Sequence, residues 1–339
     1  MTRVTAVVLA YGDEPWVERC VMALLASEGV EVDVVLVDNG CTTGAPDRLR
    51  GTTGVLVVTP AENLGFAGGC NAGAVHATGE LLALVNADAL VDPPALARLA
   101  AVAQRPDVGI ASGSIRLADD PERMNSAGNP VHFSGLSWAG AFGEPASEHS
   151  VEAEVASASG AGLVLRRDLW EGLGGFAPEY FAYLEDTELS LRVWQRGLRV
   201  VFVPDAVVVH RYEFSRNDLK NHLLERNRLL VLLTVLERRT LLALAPALLL
   251  VEVALLVTAV VQGWARAKLR GYVWLVRERR FVRARRARLQ AERTVPDTEL
   301  LRLLTGRLTM ANVAAPPGTG LLDVVLAAWW RRSLVVLAR

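Results

Sequence analysis

VDVVLVDNG, residues Val32 to Gly40, is the stretch on which the fold turns. Val32 to Val37 is apolar at every position except Asp33, which reads as a buried strand, and it stops at Asp38-Asn39-Gly40. Upstream, Thr5 to Ala10 is a second apolar, β-branched run, and Pro15 to Ala26 between them has helical spacing. Downstream come a short strand at Val55 to Val58, a short helix at Asn71 to Ala77 and a strand at Leu81 to Val85 that ends in Asn86-Ala87-Asp88. The Asp92-Pro93 pair then starts a helix that runs to Ala103. Strands alternating with helices imply a parallel sheet covered on both faces. Ligands of such sheets bind beyond the carboxyl ends of the strands, where Asp38, Asn39, Asn86 and Asp88 all sit.

The pattern weakens from Ile110 to about Glu154, where Gly and Pro are frequent and short strands are expected. SASGAGLVLR, residues 157–166, is a small-residue turn followed by a strand. GGFAPEYFAYLEDTELSLRVWQRG, Gly174 to Gly197, places Glu185 and Asp186 at the start of a helix marked by Leu189, Val193 and Trp194 and stopped by Gly197. Leu198 to Val209 is a strand pair or a kinked strand interrupted at Pro204, and it delivers His210.

The 339 residues allow one large core, or one core plus an appendage, and the net charge of −1 hides a lopsided distribution. Acids dominate the first two hundred residues. Trp264 to Arg293 is packed with arginine, including Arg277, Arg279, Arg280, Arg283 and Arg286, against only Glu278 and Glu292. With the apolar Leu241 to Val261 directly upstream, this block points to an anionic membrane surface, and no nucleic-acid partner is expected. Pro246 and Glu252 inside the apolar run, and the export of the arginines that a single crossing would require, favour helices lying on the cytoplasmic leaflet over a span. Trp264, Trp274, Trp329 and Trp330 are then expected at the interface; a buried helical core or a homodimer interface is the other use of such a run. Cys20, Cys41 and Cys70 show neither disulfide nor metal-ligand spacing and fit a reducing compartment.

Each candidate site residue has an ordinary structural use beside the chemical one. Asp38 serves as a turn-forming residue before Gly40, or accepts from a nucleobase N–H. Residues 62–71, ENLGFAGGCN, form a tight loop chosen for close packing, or hold phosphate on backbone N–H groups. Asn86 and Asp88 cap or turn the chain, or hold a hard cation on one face of an extended segment. His210 is an edge histidine unless the fold brings it to Asp88. Glu185-Asp186 is equally a charged helix start or a carboxylate tuned beside the aromatic run of Tyr180, Phe181 and Tyr183.

VVLAY, VLVDNG, ENLGFAGGCN, LLALVNADA, SGAGLVLRR, the Gly174–Gly197 segment and VPDAVVVH, taken in order over Val4 to Ser215, resemble the family 2 glycosyltransferases of GT-A fold, in their rhamnosyl- and galactofuranosyltransferase-like branch. The resemblance implies a catalytic domain at residues 1–215 and a basic, amphipathic helical region at 216–339. It implies that Asp38, with backbone near Ala10 and Tyr11, reads the nucleobase, and that Asn63, Gly65, Phe66, Gly68 and Asn71 surround the base, ribose and diphosphate of a nucleoside-diphosphate sugar. Asn86-Ala87-Asp88 stands where the family has its DxD motif, so Asp88, with His210, implies a site for Mg²⁺ or Mn²⁺. Asp186 matches the catalytic base, Glu185 a neighbour that positions it or contacts the acceptor, and Glu188 a helix charge. Gly160, Tyr183, Trp194 and Arg196 line the acceptor cleft. The chain departs from the pattern at Gly12, Cys41 and Thr43, and at Asn86, which lowers the charge of the metal site. The implied activity is an inverting transfer to a glycan or polyprenyl-diphosphate-linked acceptor in cell-envelope polysaccharide synthesis; the alternative is a catalytically silent nucleotide-sugar-binding or scaffold protein.

Overall fold

The buried runs become strands of one ten-stranded sheet in the computed structural model, which describes residues 1–212, 217–308 and 319–337. In chain order the strands are β1 (Arg3–Gly12), β2 (Glu31–Cys41), β3 (Val55–Val58), β4 (Leu81–Asn86), β5 (Ala89–Val91) and β6 (Val108–Leu117). They continue with β7 (Met124–Ser126), β8 (Val131–His132), β9 (Ala153–Glu154), β10 (Gly162–Arg166), β11 (Arg199–His210) and β12 (Leu304–Thr305). The sheet order is β3-β2-β1-β4-β10-β6-β11-β5, with β7 beside β6 and β9 beside β11, while β8 pairs with β12 apart from it. β1 to β4 run parallel, as do β6 and β11; β10 lies antiparallel between β4 and β6. The result is a mixed, mostly parallel α/β sheet. Around it are α1 (Val17–Leu25), α2 (Ala45–Leu49), α3 (Gly65–Ala74), α4 (Ala95–Ala103), α5 (Arg167–Leu173) and α6 (Glu185–Gln195).

Two elements differ from the sequence reading. The weakly patterned stretch after Ile110 holds β6, a strand of ten residues with eight buried. Its glycines and serines carry little strand propensity, but they leave room on a doubly covered strand; a side chain at Gly109 would meet Val193 Cγ1 at 2.3 Å. The glycine-rich segment is also not a loop. Gly65 opens α3, six residues before the expected helix, because the glycines let the helix sit directly on the sheet. A Cβ on Gly69 would lie 2.0 Å from Leu9 Cδ1, and one on Gly73 would lie 2.6 Å from Val7 Cγ1. Val4, Ala6, Val8 and Ala10 face the opposite side, in a core shared with Cys20, Val21 and Leu24 of α1.

β11 is the kinked strand. Val203 pairs with Gly113 and Val207 with Ser114, so Pro204, Asp205 and Ala206 bulge out of the ladder. Proline has no N–H to donate there. The strand resumes and ends at His210, opposite Leu117 of β6 and Ala89 of β5.

The described chain forms two units. The first comprises 1–129, 139–193 and 198–212; the second comprises 130–138, 194–197 and the described residues from 217 onward. The boundary expected at 215/216 lies outside the described residues. The second unit is built from α7 (Asp218–Val235), α8 (Arg238–Val261), α9 (Ala265–Arg277), α10 (Arg279–Glu292), α11 (Asp297–Leu301) and α12 (Thr319–Leu337), with β8 and β12. Glu252, the acid that interrupts the apolar run, is neutralised within it. Its carboxylate pairs with Arg228 of α7, with Lys268 of α9 at 3.1 Å, and with the Tyr272 hydroxyl at 2.6 Å. Glu225 bonds Arg228 at 3.0 Å and also pairs with Lys268. Arg228 and Lys268 are almost wholly buried. Trp330 is buried as well, stacked on Phe133 with ring centroids 5.3 Å apart, so it is a core side chain and not an interfacial one.

Two outcomes follow from this packing. Gly69→Ala gains about 1 kcal/mol of helix propensity but collides with Leu9, and overpacking costs about 1–3 kcal/mol, so the denaturation midpoint falls. A midpoint at or above wild type would contradict the packing reading. Glu252→Leu strips one of two carboxylates from a pair of buried cations and costs about 3–5 kcal/mol, seen as faster proteolysis of the C-terminal helices. Unchanged protease resistance would show that the cluster contributes nothing.

Candidate active site

The carboxyl ends of β1 and β2 lie side by side, with Ala10 in register with Asp38. Asp38 Oδ1 accepts from the Cys41 N–H at 3.0 Å and so shapes the turn that Gly40 begins; the exposed Tyr11 ring stands beside Gly40. Asn39, buried, accepts from Leu64 N–H at 2.9 Å and donates to Asn63 Oδ1 at 2.8 Å; Asn63 Oδ1 in turn accepts from Gly65 N–H at 2.8 Å. These two side chains therefore set the entry to α3, where Gly65 is left-handed at φ +68° and Gly68 packs on Leu64. The Asn71 amide is committed elsewhere in the first unit: it accepts from Phe176 N–H at 3.0 Å and donates to Phe176 C=O at 2.9 Å.

The other wall of the site is strained. Ala182 N–H bonds Tyr180 C=O at 2.7 Å, which closes a γ-turn with Phe181 at φ 61°, ψ −65°. Tyr183 and Leu184 follow at φ 71° and 65°. Backbone of this kind costs on the order of 1–3 kcal/mol per residue and persists only where the surroundings hold it. Here Phe181 C=O accepts from Ala67 N–H at 3.0 Å, and a Cβ on Gly65 would fall 2.4 Å from that same oxygen. Tyr180 is wholly buried, whereas Tyr183 is exposed.

This turn delivers Glu185 and Asp186 to the first turn of α6. Asp186 Oδ2 accepts from Gly160 N–H at 3.0 Å, and its Oδ1 accepts from Thr187 N–H at 2.6 Å. Burial raises the affinity of both carboxyl groups for a proton, and the Asp186 charge raises that of Glu185 further. Bonds from Gly160 and Thr187 oppose the rise at Asp186. Glu185 Oε2 is buried without a hydrogen-bond partner among the described residues.

Asn86 is the last residue of β4 and Asp88 lies in the turn to β5, and both reach His210. His210 Nε2 is 3.2 Å from Asp88 Oδ1 and 3.5 Å from Asn86 Nδ2. His210 Nδ1 is 2.9 Å from Asn125 Oδ1. The backbone secures the meeting, because Arg211 N–H bonds Asp88 C=O at 2.9 Å. No group of three or more His, Cys, Asp or Glu side chains is placed to hold a metal among the described residues. One carboxylate and one imidazole nitrogen at this separation still suit Mg²⁺ or Mn²⁺ as part of a ligand set that phosphate oxygens would complete. Ala87, between them, is buried. Asn86 N–H bonds Ala161 C=O at 3.3 Å, so the residue next to Gly160 ties this group to Asp186.

Trp194 and Arg196 belong to the second unit, where the Arg196 guanidinium pairs with Glu292 at 2.8 Å. Three residues outside the expected site matter here. Glu188 is no surface helix charge: it is fully buried and bonds Arg192 at 2.8 Å, and Arg192 holds Leu173 C=O at 2.8 Å and Gly175 C=O at 2.6 Å. The i,i+4 acid–base spacing in α6 was the available signal. The third, Asn125, lies on a three-residue strand that nothing in its surroundings marks.

Comparison with known proteins identifies the family and the fold. A family model described as "Glycosyltransferase like family 2" matches residues 2–229. An N-acetylglucosaminyl-diphospho-decaprenol L-rhamnosyltransferase of Mycobacterium tuberculosis is 28% identical over 66% of this chain and 81% of its own. The O-antigen biosynthesis protein RfbC of Myxococcus xanthus is 32% identical over 43% of this chain and 12% of its own. Among solved structures, the mannosyltransferase PcManGT of Pyrobaculum calidifontis, with GDP-Man and Mn²⁺, aligns at TM-score 0.52 and 21% identity over 85% of each chain. GalNAc-T7 with UDP, GalNAc and Mn²⁺ aligns at 0.58 and 17% identity over 73% of this chain and 51% of its own. These structures share the GT-A fold. The chain belongs to the family 2 glycosyltransferases.

Proposed function

We propose that the protein is an inverting transferase that moves a sugar from a nucleoside-diphosphate sugar, dTDP-rhamnose or a UDP-sugar, to a glycan or polyprenyl-diphosphate-linked acceptor in cell-envelope polysaccharide synthesis. The observation that carries this reading is the Ser159–Ala161 turn, which bonds the carboxylate of Asp186 through one residue and the Asn86–Asp88 turn through the next. A base and a leaving-group site fixed to one short stretch of backbone suit a single displacement. Asp186 takes the proton of the acceptor hydroxyl as the bond to the sugar forms and the bond to the diphosphate breaks. Glu185, buried beside it, positions Asp186 or contacts the acceptor. Asp38, Tyr11 and the Asn63–Phe66 turn bind the nucleotide. Asp88 and His210, with Asn86 beside them, would hold Mg²⁺ or Mn²⁺, and such a cation would supply positive charge to the departing diphosphate. The rhamnosyltransferase relative supports a rhamnose donor and a polyprenyl acceptor.

A lipid-linked acceptor fits attachment to the cytoplasmic face of the membrane. Helix α8 is long and apolar enough to cross one, with mean hydropathy 2.5 and only 22% of its apolar window buried. Leu242, Leu249, Val253, Val257 and Val260 are exposed along it, as are Leu269, Val273 and Val276 on α9. Arg277, Arg279, Arg280 and Arg283 are exposed beside the α9 stripe. Glu252, committed to Arg228 and Lys268, fixes α8 by one face to its neighbours, which favours helices seated in the leaflet over a single crossing.

Asp186→Asn lowers kcat about 10²–10⁴-fold while nucleotide binding holds; nucleoside diphosphate release, measured with and without Mn²⁺, reads both. Near-normal turnover rejects the base, and binding without release in the wild type favours the silent reading. Because burial raises its pKa, Asp186 loses its charge as pH falls through a value above the ordinary aspartate range, so the acid limb of kcat/KM lies there too; a limb at the usual aspartate value sinks the assignment. Replacing Arg277, Arg280 and Arg283 by Gln removes about 1 kcal/mol of attraction each and lowers sedimentation with anionic vesicles about a hundredfold. Undiminished co-sedimentation rules out the basic patch as the anchor.

A further inference from the structure

We infer that Asn125 is a positioning residue that fixes the His210 ring nitrogen available to the cation, an inference that rests on the metal-assisted reading of the Asp88 site. Asn125 lies on β7, with Met124 and Ser126 buried on either side of it. Those neighbours have local uses: Met124 Sδ accepts from Ser114 Oγ at 3.8 Å, and Ser126 Oγ donates to Gly128 C=O at 3.0 Å. Asn125 has a different one. It is 4% exposed, its Oδ1 sits 2.9 Å from His210 Nδ1, and its Nδ2 is buried with no hydrogen-bond partner among the described residues. A buried amide nitrogen left unbonded is destabilising, a cost that a leucine of similar shape would avoid. What offsets that cost is the bond to the imidazole.

The chemistry of that bond is directional. A neutral imidazole carries one N–H, and the amide oxygen only accepts, so the proton resides on Nδ1. Nε2 then presents its lone pair towards Asp88 Oδ1, 3.2 Å away, with the Asn86 amide nitrogen at 3.5 Å. Two acceptors facing each other at that distance repel unless a positive centre sits with them, and a divalent cation is such a centre. The opposite tautomer would place an N–H between His210 and Asp88, spending both ligands on each other. Asn125 therefore stands behind His210 as the second group of a metal-ligand pair, the role that carboxylates and carbonyls fill behind other metal-binding histidines. It touches neither donor nor acceptor in this arrangement.

The test compares Asn125→Leu with Asn125→Asp in the full chain. The probe is Mn²⁺ alone, with free ion followed by electron paramagnetic resonance, and UDP binding is measured separately without metal. Asn125→Leu weakens Mn²⁺ binding about 10–100-fold, the range for loss of such an outer partner. Asn125→Asp, whose carboxylate also accepts from Nδ1–H, keeps Mn²⁺ affinity within a few-fold of wild type, and both variants keep UDP affinity and melting temperature. Wild-type Mn²⁺ affinity in Asn125→Leu, or equal losses in both variants, overturns the inference and leaves the metal site standing. A wild-type protein that binds no Mn²⁺ overturns the metal site and the inference together. Should Asn125→Leu not fold, the ¹⁵N spectrum of neutral His210 in the wild type decides: a proton on Nδ1 supports the inference, and one on Nε2 overturns it.

Discussion

The hydrogen bond from Gly160 N–H to Asp186 is the contact on which the arrangement of the site depends. It is short-range and fixed to backbone, and the next residue along accepts from Asn86. The turn owes its place to β10, the one strand that runs against the parallel strands on both of its edges, β4 and β6. An antiparallel strand enters the sheet from the carboxyl edge, so the turn before it lies at the edge where β1, β2 and β4 end. A parallel strand in the same position would have presented its other end.

Around that bond the protein spends stability on geometry. Three left-handed residues, Phe181, Tyr183 and Leu184, precede the acids, of which Glu185 is buried and Asp186 half-buried. Strain of this kind relaxes unless something opposes it. Gly65, having no side chain, leaves room for Phe181 C=O, which Ala67 N–H holds, and Arg192, fixed by Glu188, holds the carbonyls of Leu173 and Gly175 from within α6. The start of α3 and the strained turn before α6 are thus parts of one packed object, and Asn71, clasping Phe176, is a fastener between them.

Much of this was legible in the chain and some was not, for physical reasons. Buried parallel strands are continuous apolar runs, so β1, β2, β3 and β4 announce themselves, and their ends place Asp38 and Asp88 without further information. β6 is silent because a central strand crowded by neighbours needs small residues, and Gly109 and Gly113 look like a loop. The α3 glycines misled in the opposite direction: they mark close helix–sheet contact at Leu9 and Val7, so the helix starts earlier than propensity suggests. That His210 meets Asp88 depends on a crossing of distant strands, which spacing in sequence does not encode. Asn125 was invisible for the same reason, since its meaning lies wholly in the side chain it meets.

The bulge at Pro204 has a consequence of parity. Before it, the core face of β11 takes Val201 and Val203; after it, the same face takes Ala206 and Val208, and His210 continues the even-numbered series. Strand side chains alternate, so the count of residues between Val203 and Val207 decides which face position 210 occupies. A chain one residue shorter there would still fill its core, because Val207 and Val209 are as apolar as their neighbours, but it would offer Arg211 to Asp88 where the imidazole now stands. Sheet and core would be indifferent to the loss. The length of a three-residue kink is, in this sense, as much a part of the site as the histidine it carries.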